Sequence, residues 1–148
     1  MKREILLLVE KCSHCFSYYD IETGERLHSI PLEDFPHEFV IDAQQRFAYV
    51  GHYGVETSGH LGIGGTKIFQ IDIAARTLVR SIDIAPFNRL HGMQMDAEER
   101  LYALSEDRAQ LVVLEHPATD TAPRRAVPTA ASRATSSLSR VTAAPLIP

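Results

Sequence analysis

The sequence predicts an all-β chain of sequential four-stranded antiparallel units, followed by a tail of different character. Three observations predict it. The chain repeats itself at a period near 50 residues. Each repeat holds short runs of β-branched, aromatic or leucine residues, broken by charged or small residues at hairpin spacing. The last 28 residues then change composition abruptly.

The repeat is visible by direct superposition. YYDIETGERLHSIPLEDF (18–35) lies over QIDIAARTLVRSIDIAPF (70–87) at a shift of 52, pairing Asp20-Ile21 with Asp72-Ile73, Ser29-Ile30 with Ser81-Ile82, and Phe35 with Phe87. After a two-residue slip, HEFVIDAQQRFAYV (37–50) lies over HGMQMDAEERLYAL (91–104), pairing His37 with His91, Asp42-Ala43 with Asp96-Ala97, and Arg46 with Arg100. A third copy, RLYALSEDRAQLVVLE (100–115), matches the stretch ending CFSYYD at Asp20 without a gap, at a shift of 95.

Taken in order, the first unit supplies three strands. The apolar run Ile5 to Val9 is the first; the second ends in Tyr18-Tyr19-Asp20 and the third in Ile30-Pro31. The central unit is complete, with strands over Glu38–Asp42, Phe47–His52, Lys67–Ile73 and Leu78–Ile84. Its polar connections DAQQR and IAART suit tight turns. The third unit supplies three strands, and RRAVPT (124–129) is a candidate fourth. No long stretch shows helical periodicity. Such units are the signature of propeller blades.

With these motifs in view, the unit closely resembles the YVTN-type repeat of seven-bladed β-propellers, of the cytochrome d1 and quinoprotein amine dehydrogenase-like kind. The residues that carry the resemblance are Pro36-His37, Asp42, Tyr49-Val50, Asp20-Ile21, Thr23-Gly24 and Ile30-Pro31, over roughly residues 4 to 128. Asn88-Arg89-Leu90 before His91 departs from the pattern, which has Pro there. The resemblance implies a fold and leaves function open, because the repeat is a structural device.

Propellers typically close with about 4–8 blades, and this chain supplies about two and a half to three. The expectation is therefore an incomplete ring over 1–120, extending at most to 128, truncated or shifted in frame near its end. Residues 121–148 contain seven Ala, four Pro, four Ser, four Thr and four Arg, with no Gly, aromatic or acid. That composition predicts a disordered low-complexity tail, since it buries too little apolar surface to offset its ordering entropy.

Composition narrows the function classes. The net charge of −4 is split: residues 1–120 carry all 19 acids and 11 of the 15 Lys and Arg, or −8, while the tail carries four Arg and no acid, or +4. An acidic body argues against a nucleic-acid surface. No apolar run approaches the roughly 20 residues of a membrane helix, and Ile5 to Val9 is shorter than the ~7–15 residues of an export signal core. The expected location is cytoplasmic, with no nucleic-acid or membrane partner. Open sheet edges make self-association the expected liability.

Blade topology sorts the loops. KCSHC, HYGVETSGHLGIGGT, SEDRAQ, LEDFPH and APFNRLH fall on one face and hold five of the seven histidines and both cysteines. CSHC (12–15) offers Cys12, His14 and Cys15 as a weak metal site. It lacks the second Cys pair of a zinc knuckle, and the repeat sets plain DRAQ (107–110) on it, so it reads first as a turn. The 26 residues from Phe47 to Asp72 exceed the 15 from Leu101 to Glu115 by 11, and this Gly-rich excess is either a mobile loop without chemistry or a binding loop that brings His52, Tyr53, Glu56 and His60 to a ligand near the channel mouth. His37 and His91 recur just before the innermost strand, near the central axis. They are either caps to the neighbouring blade or a ring of imidazoles able to bind an anion or a metal. With Arg89, these residues make the candidate ligand-binding face.

No nucleophile–base pair can be read from spacing, and no cofactor is implied. The expected function is a non-catalytic module binding a protein or small molecule. The alternative is a propeller-type enzyme, a sugar lactonase or quinoprotein-like oxidoreductase, in which a histidine and Glu38 or Glu56 would supply acid–base chemistry. A product with no function because its ring is open is the third possibility.

Overall fold

The computed structural model describes residues 4–130. Three antiparallel sheets follow one another along the chain. The first is β1 (Ile5–Glu10), β2 (Cys15–Asp20) and β3 (Arg26–Pro31). The second is β4 (Pro36–Ile41), β5 (Phe47–His52), β6 (Lys67–Asp72) and β7 (Thr77–Asp83). The third is β8 (Leu90–Met95), β9 (Leu101–Ser105), β10 (Gln110–Leu114) and β11 (Arg125–Pro128). Strands within each sheet pair strictly with their sequence neighbours, which is the up-and-down order of propeller blades.

Side-chain alternation explains the stacking. The second sheet sends Ala48, Val50, Phe69 and Ile71 to one side, where Phe16, Tyr18 and Ile30 of the first sheet meet them. Its opposite face sends Tyr49, Ile68, Ile82 and Ile84 against Leu90, Met93, Leu101, Val112 and Leu114 of the third. Phe16, Ile68, Ile84 and Leu101 are fully excluded from solvent, each worth roughly 1.5–3 kcal/mol of burial. Polar ties reinforce the second junction: Arg80 Nη1 and Nη2 donate to the carbonyls of Asp120 and Pro117 at 2.8 and 2.6 Å.

The recurrent aspartates cap turns, as their positions predict. Asp42 Oδ1 accepts from the amides of Arg46 and Phe47, Asp96 Oδ1 from those of Glu98 and Arg100, and Asp20 Oδ1 from those of Glu22 and Thr23.

Two findings refine the sequence reading. First, RRAVPT does complete the third sheet: β11 pairs with β10 from Val113↔Arg125 to Gln110↔Pro128, so the change of composition at residue 121 is not the end of the sheet. All four β11 residues are exposed. An outer edge strand is held through its backbone, and a proline is tolerated there. Residues 131–148, the rest of the expected disordered tail, lie outside the described residues.

Second, the innermost strands begin earlier than expected and carry bulges. In the second sheet the register jumps from Pro36↔His52 to Phe39↔Val50, so His37 and Glu38 together oppose Gly51. In the third it jumps from Leu90↔Ser105 to Met93↔Ala103, so His91 and Gly92 oppose Leu104. Gly92, at φ 81°, takes a backbone conformation that few other residues adopt. A bulge inserts an extra residue and re-aims its side chain. Here it does so at the same place in both blades.

Candidate functional site: the axial mouth

The bulges bring His37, Glu38 and His91 together. One potential ligand atom from each lies within 4.8 Å of the other two. The two imidazoles face one another with ring centroids 4.5 Å apart. Each Nδ1 is 3.7 Å from the same carboxylate oxygen, Glu38 Oε1. Both Nδ1 atoms are buried and have no hydrogen-bond partner in the protein. The other oxygen, Glu38 Oε2, accepts from the backbone amide of Met93 at 3.2 Å, which fixes the carboxylate across the blade junction.

A second tier comes from the residues that directly follow β1, β5 and β9: Lys11, Tyr53 and Glu106. The Tyr53 ring packs on His37 at 5.3 Å and His91 at 5.7 Å. Its hydroxyl donates to Glu106 Oε2 at 2.7 Å. Lys11 Nζ stands 4.4 Å above the Tyr53 ring. Three successive blades thus contribute equivalent positions to one polar mouth. Burial pushes the Lys11 pKa below its ordinary value. Burial, then the neighbouring His91 and Lys11, likewise lower that of His37, outweighing the pull of Glu38 and Glu106. His37 therefore favours its neutral form, with a lone pair free at one ring nitrogen.

The remaining candidates are placed differently. His52 is buried, with its ring 5.3 Å from that of Phe69, and burial lowers its pKa. It lines a separate concavity with Glu33, Asp34, Gly54 and Gly64. Glu56 and His60 are exposed on the long loop. Arg89 is turned inward. It is buried, and its guanidinium donates to the carbonyls of Ser58, His60 and Gly62 at 3.1, 2.7 and 2.8 Å. Asn88 Nδ2 adds a bond to Ile63 O. The long loop is pinned to the third blade by Asn88 and Arg89, which precede Leu90, the residue that stands where the repeat has Pro.

At CSHC the structure shows a turn. His14 Nδ1 accepts from the Phe35 amide at 2.9 Å, Cys15 is buried at the start of β2, and Cys12 is exposed. Among the described residues, Cys12, His14 and Cys15 do not gather as a three-ligand group. Two larger concavities, of about 460 and 490 Å³, lie elsewhere: one borders Asp42, Glu99 and Glu115, the other the exposed apolar side of β1 beside Ile41 and Ile73.

Sequence reasoning found His37, His91 and Tyr53 but left out Lys11 and Glu106, and gave Glu38 only to the enzymatic alternative. The signal was present for the first two, since the shift of 95 sets Glu106 on Lys11.

Comparison with solved structures decides the fold. The chain has a β-propeller fold. Hydrazine synthase of Kuenenia stuttgartiensis superposes with a TM-score of 0.69 at 12% identity, over 85% of this chain and 33% of that one. The dihydro-heme d1 dehydrogenase NirN gives 0.68 at 13%, over 86% and 26%. AztD of Citrobacter koseri gives 0.64 at 15%, over 89% and 34%. The chain thus spans about a third or less of the length of the propellers it resembles. No family model matches the chain, and no curated protein matches it significantly. No helix among the described residues is long and apolar enough to cross a membrane.

Proposed function

We propose that this chain is a binding module, with a small polar ligand seated in the axial mouth between the second and third blades. The observation that carries this is the convergence of His37, Glu38 and His91 from two bulges, roofed by Tyr53 and flanked by Lys11 and Glu106. Mixed charge, an aromatic wall and two buried nitrogens without partners make a recognition surface rather than a packed core.

The contacts described around the mouth include no activated side-chain nucleophile. The nearby hydroxyl, that of Tyr53, is bonded to Glu106, and the two Nδ1 atoms face a carboxylate rather than a nucleophile.

The test is a thermal-unfolding screen against sugars, lactones, amino acids, dicarboxylates and divalent cations. A ligand at 100 times its Kd stabilises by about 2.7 kcal/mol. At least one class should raise the midpoint of the native chain and fail to raise that of Tyr53→Ala or His91→Ala. No stabilisation by any class, or stabilisation that survives both substitutions, would refute the site. Steady acid release from a lactone would replace binding with catalysis.

A further inference from the structure

The axial cluster has the donor set and spacing of a metal centre. We propose that His37 Nδ1, His91 Nδ1 and Glu38 Oε1 together hold one divalent transition-metal ion; this deepens the axial-mouth reading by naming its ligand and rests on it.

Geometry supports the assignment. Zinc bonds of about 2.0–2.1 Å in a tetrahedral site set neighbouring ligand atoms about 3.4 Å apart. Both nitrogen–oxygen separations here are 3.7 Å, so those two edges need to close by only a few tenths of an ångström, and the three ligand atoms lie within 4.8 Å of one another. The same 3.7 Å is too long for a hydrogen bond, so the three groups do not already satisfy one another.

The surroundings support it as well. Outer-sphere partners orient metal ligands. Glu38 is held through Oε2 by the Met93 amide, leaving Oε1 free, and Tyr53 packs on both imidazoles. The three side chains are 25, 34 and 22% exposed, so the cluster borders solvent, while the two Nδ1 atoms themselves are buried and side-chain rotation would admit an ion. Two imidazoles and one carboxylate suit zinc, copper or nickel rather than magnesium or calcium. Lys11 is the one nearby group whose charge opposes a cation among those described here, and Glu106 lies close enough to offset it.

The experiment titrates zinc alone into the chelator-stripped full chain at neutral pH, by calorimetry and by competition with a chromophoric chelator. One zinc per chain should bind. His37→Ala, His91→Ala and Glu38→Gln should each weaken binding by at least the roughly 10–100-fold typical of lost outer-sphere partners. Cys12→Ser should leave it unchanged. Far-UV circular dichroism checks folding of each variant, and zinc-induced shifts of the His37 and His91 ring resonances report the site in the unmutated chain. Absence of stoichiometric zinc, affinity that survives His91→Ala, or loss on Cys12→Ser would overturn the proposal. A chain that ignores zinc but is stabilised by an organic compound through Tyr53 and His91 overturns the metal centre alone. Failure of both overturns the axial mouth too.

Discussion

Asp96→Asn should remove a large, pH-dependent part of the stability of the third blade. The Asp96 side chain is only 1% exposed, and such burial by itself would raise its pKa. It is outweighed by Arg100, whose Nε and backbone amide donate at 2.8 and 2.9 Å, and by the Tyr102 hydroxyl at 3.0 Å, so the carboxyl titrates at about 2 rather than 3.8. Each tenfold difference in proton affinity corresponds to about 1.4 kcal/mol, so the ionised carboxylate contributes up to about 2.5 kcal/mol. Screening at the rim of the sheet reduces this to about 1–2 kcal/mol. Because the folded chain binds this proton more weakly than the unfolded chain, the contribution is complete above about pH 4 and disappears as pH falls towards 2. Urea unfolding from pH 7 to pH 2 is the assay. Asp83, Asp120 and Glu10 are also held below their ordinary values, but they titrate in both proteins. The native-minus-variant difference therefore isolates Asp96. It should be about 1–2 kcal/mol at pH 7 and shrink towards zero in acid. A difference below 0.5 kcal/mol at pH 7, or one independent of pH, would refute the electrostatic account.

Three further outcomes follow from the same structure. Arg89→Met keeps the aliphatic stem but removes bonds to three loop carbonyls; bonds from a charged donor are worth about 1.5–3 kcal/mol, so proteolytic clipping between residues 57 and 63 should accelerate on the order of 10- to 100-fold. Gly65→Ala would drive a methyl group into the His52 ring, and thermal denaturation should show a loss of about 1–3 kcal/mol, since that ring is itself buried against Phe69. His37 and His52 both have pKa values lowered chiefly by burial, so folding favours their neutral forms; stability present above about pH 6.5 should decline as pH falls, and proton NMR of the ring signals should place both midpoints below 6.5.

The strands were legible because their signals are local. Phe47–His52 and the run from Lys67 are near-continuous apolar stretches buried on both faces, and a short β-prone run bounded by turn residues needs no knowledge of partners to be recognised. The turn aspartates were legible for the same reason, since Asp42 and Asp96 bond amides within five residues of themselves. The start of β4 was not, because a bulge at His37-Glu38 depends on what lies across the sheet at Gly51. Arg89 shows the limit most clearly. The sequence places it on the candidate ligand-binding face, and in the structure it is buried beneath a loop about 30 residues earlier in the chain.

By itself, then, the sequence determined the class of fold, the order of strands, the blade period and the recurrence of His37 at His91. Only the tertiary structure decided that Glu38 stands between those two histidines, that Lys11, Tyr53 and Glu106 meet above them, and that His52 and Arg89 turn inward. The physical reason is range. Strand pairing joins sequence neighbours through backbone hydrogen bonds, with no partners further apart in the described chain than Phe47 and Asp72, and a linear pattern records that order. The axial mouth is made where blades 42 to 95 residues apart press their bulges and loop starts together, and that closeness exists only once the sheets have stacked on Phe16, Ile68 and Leu101.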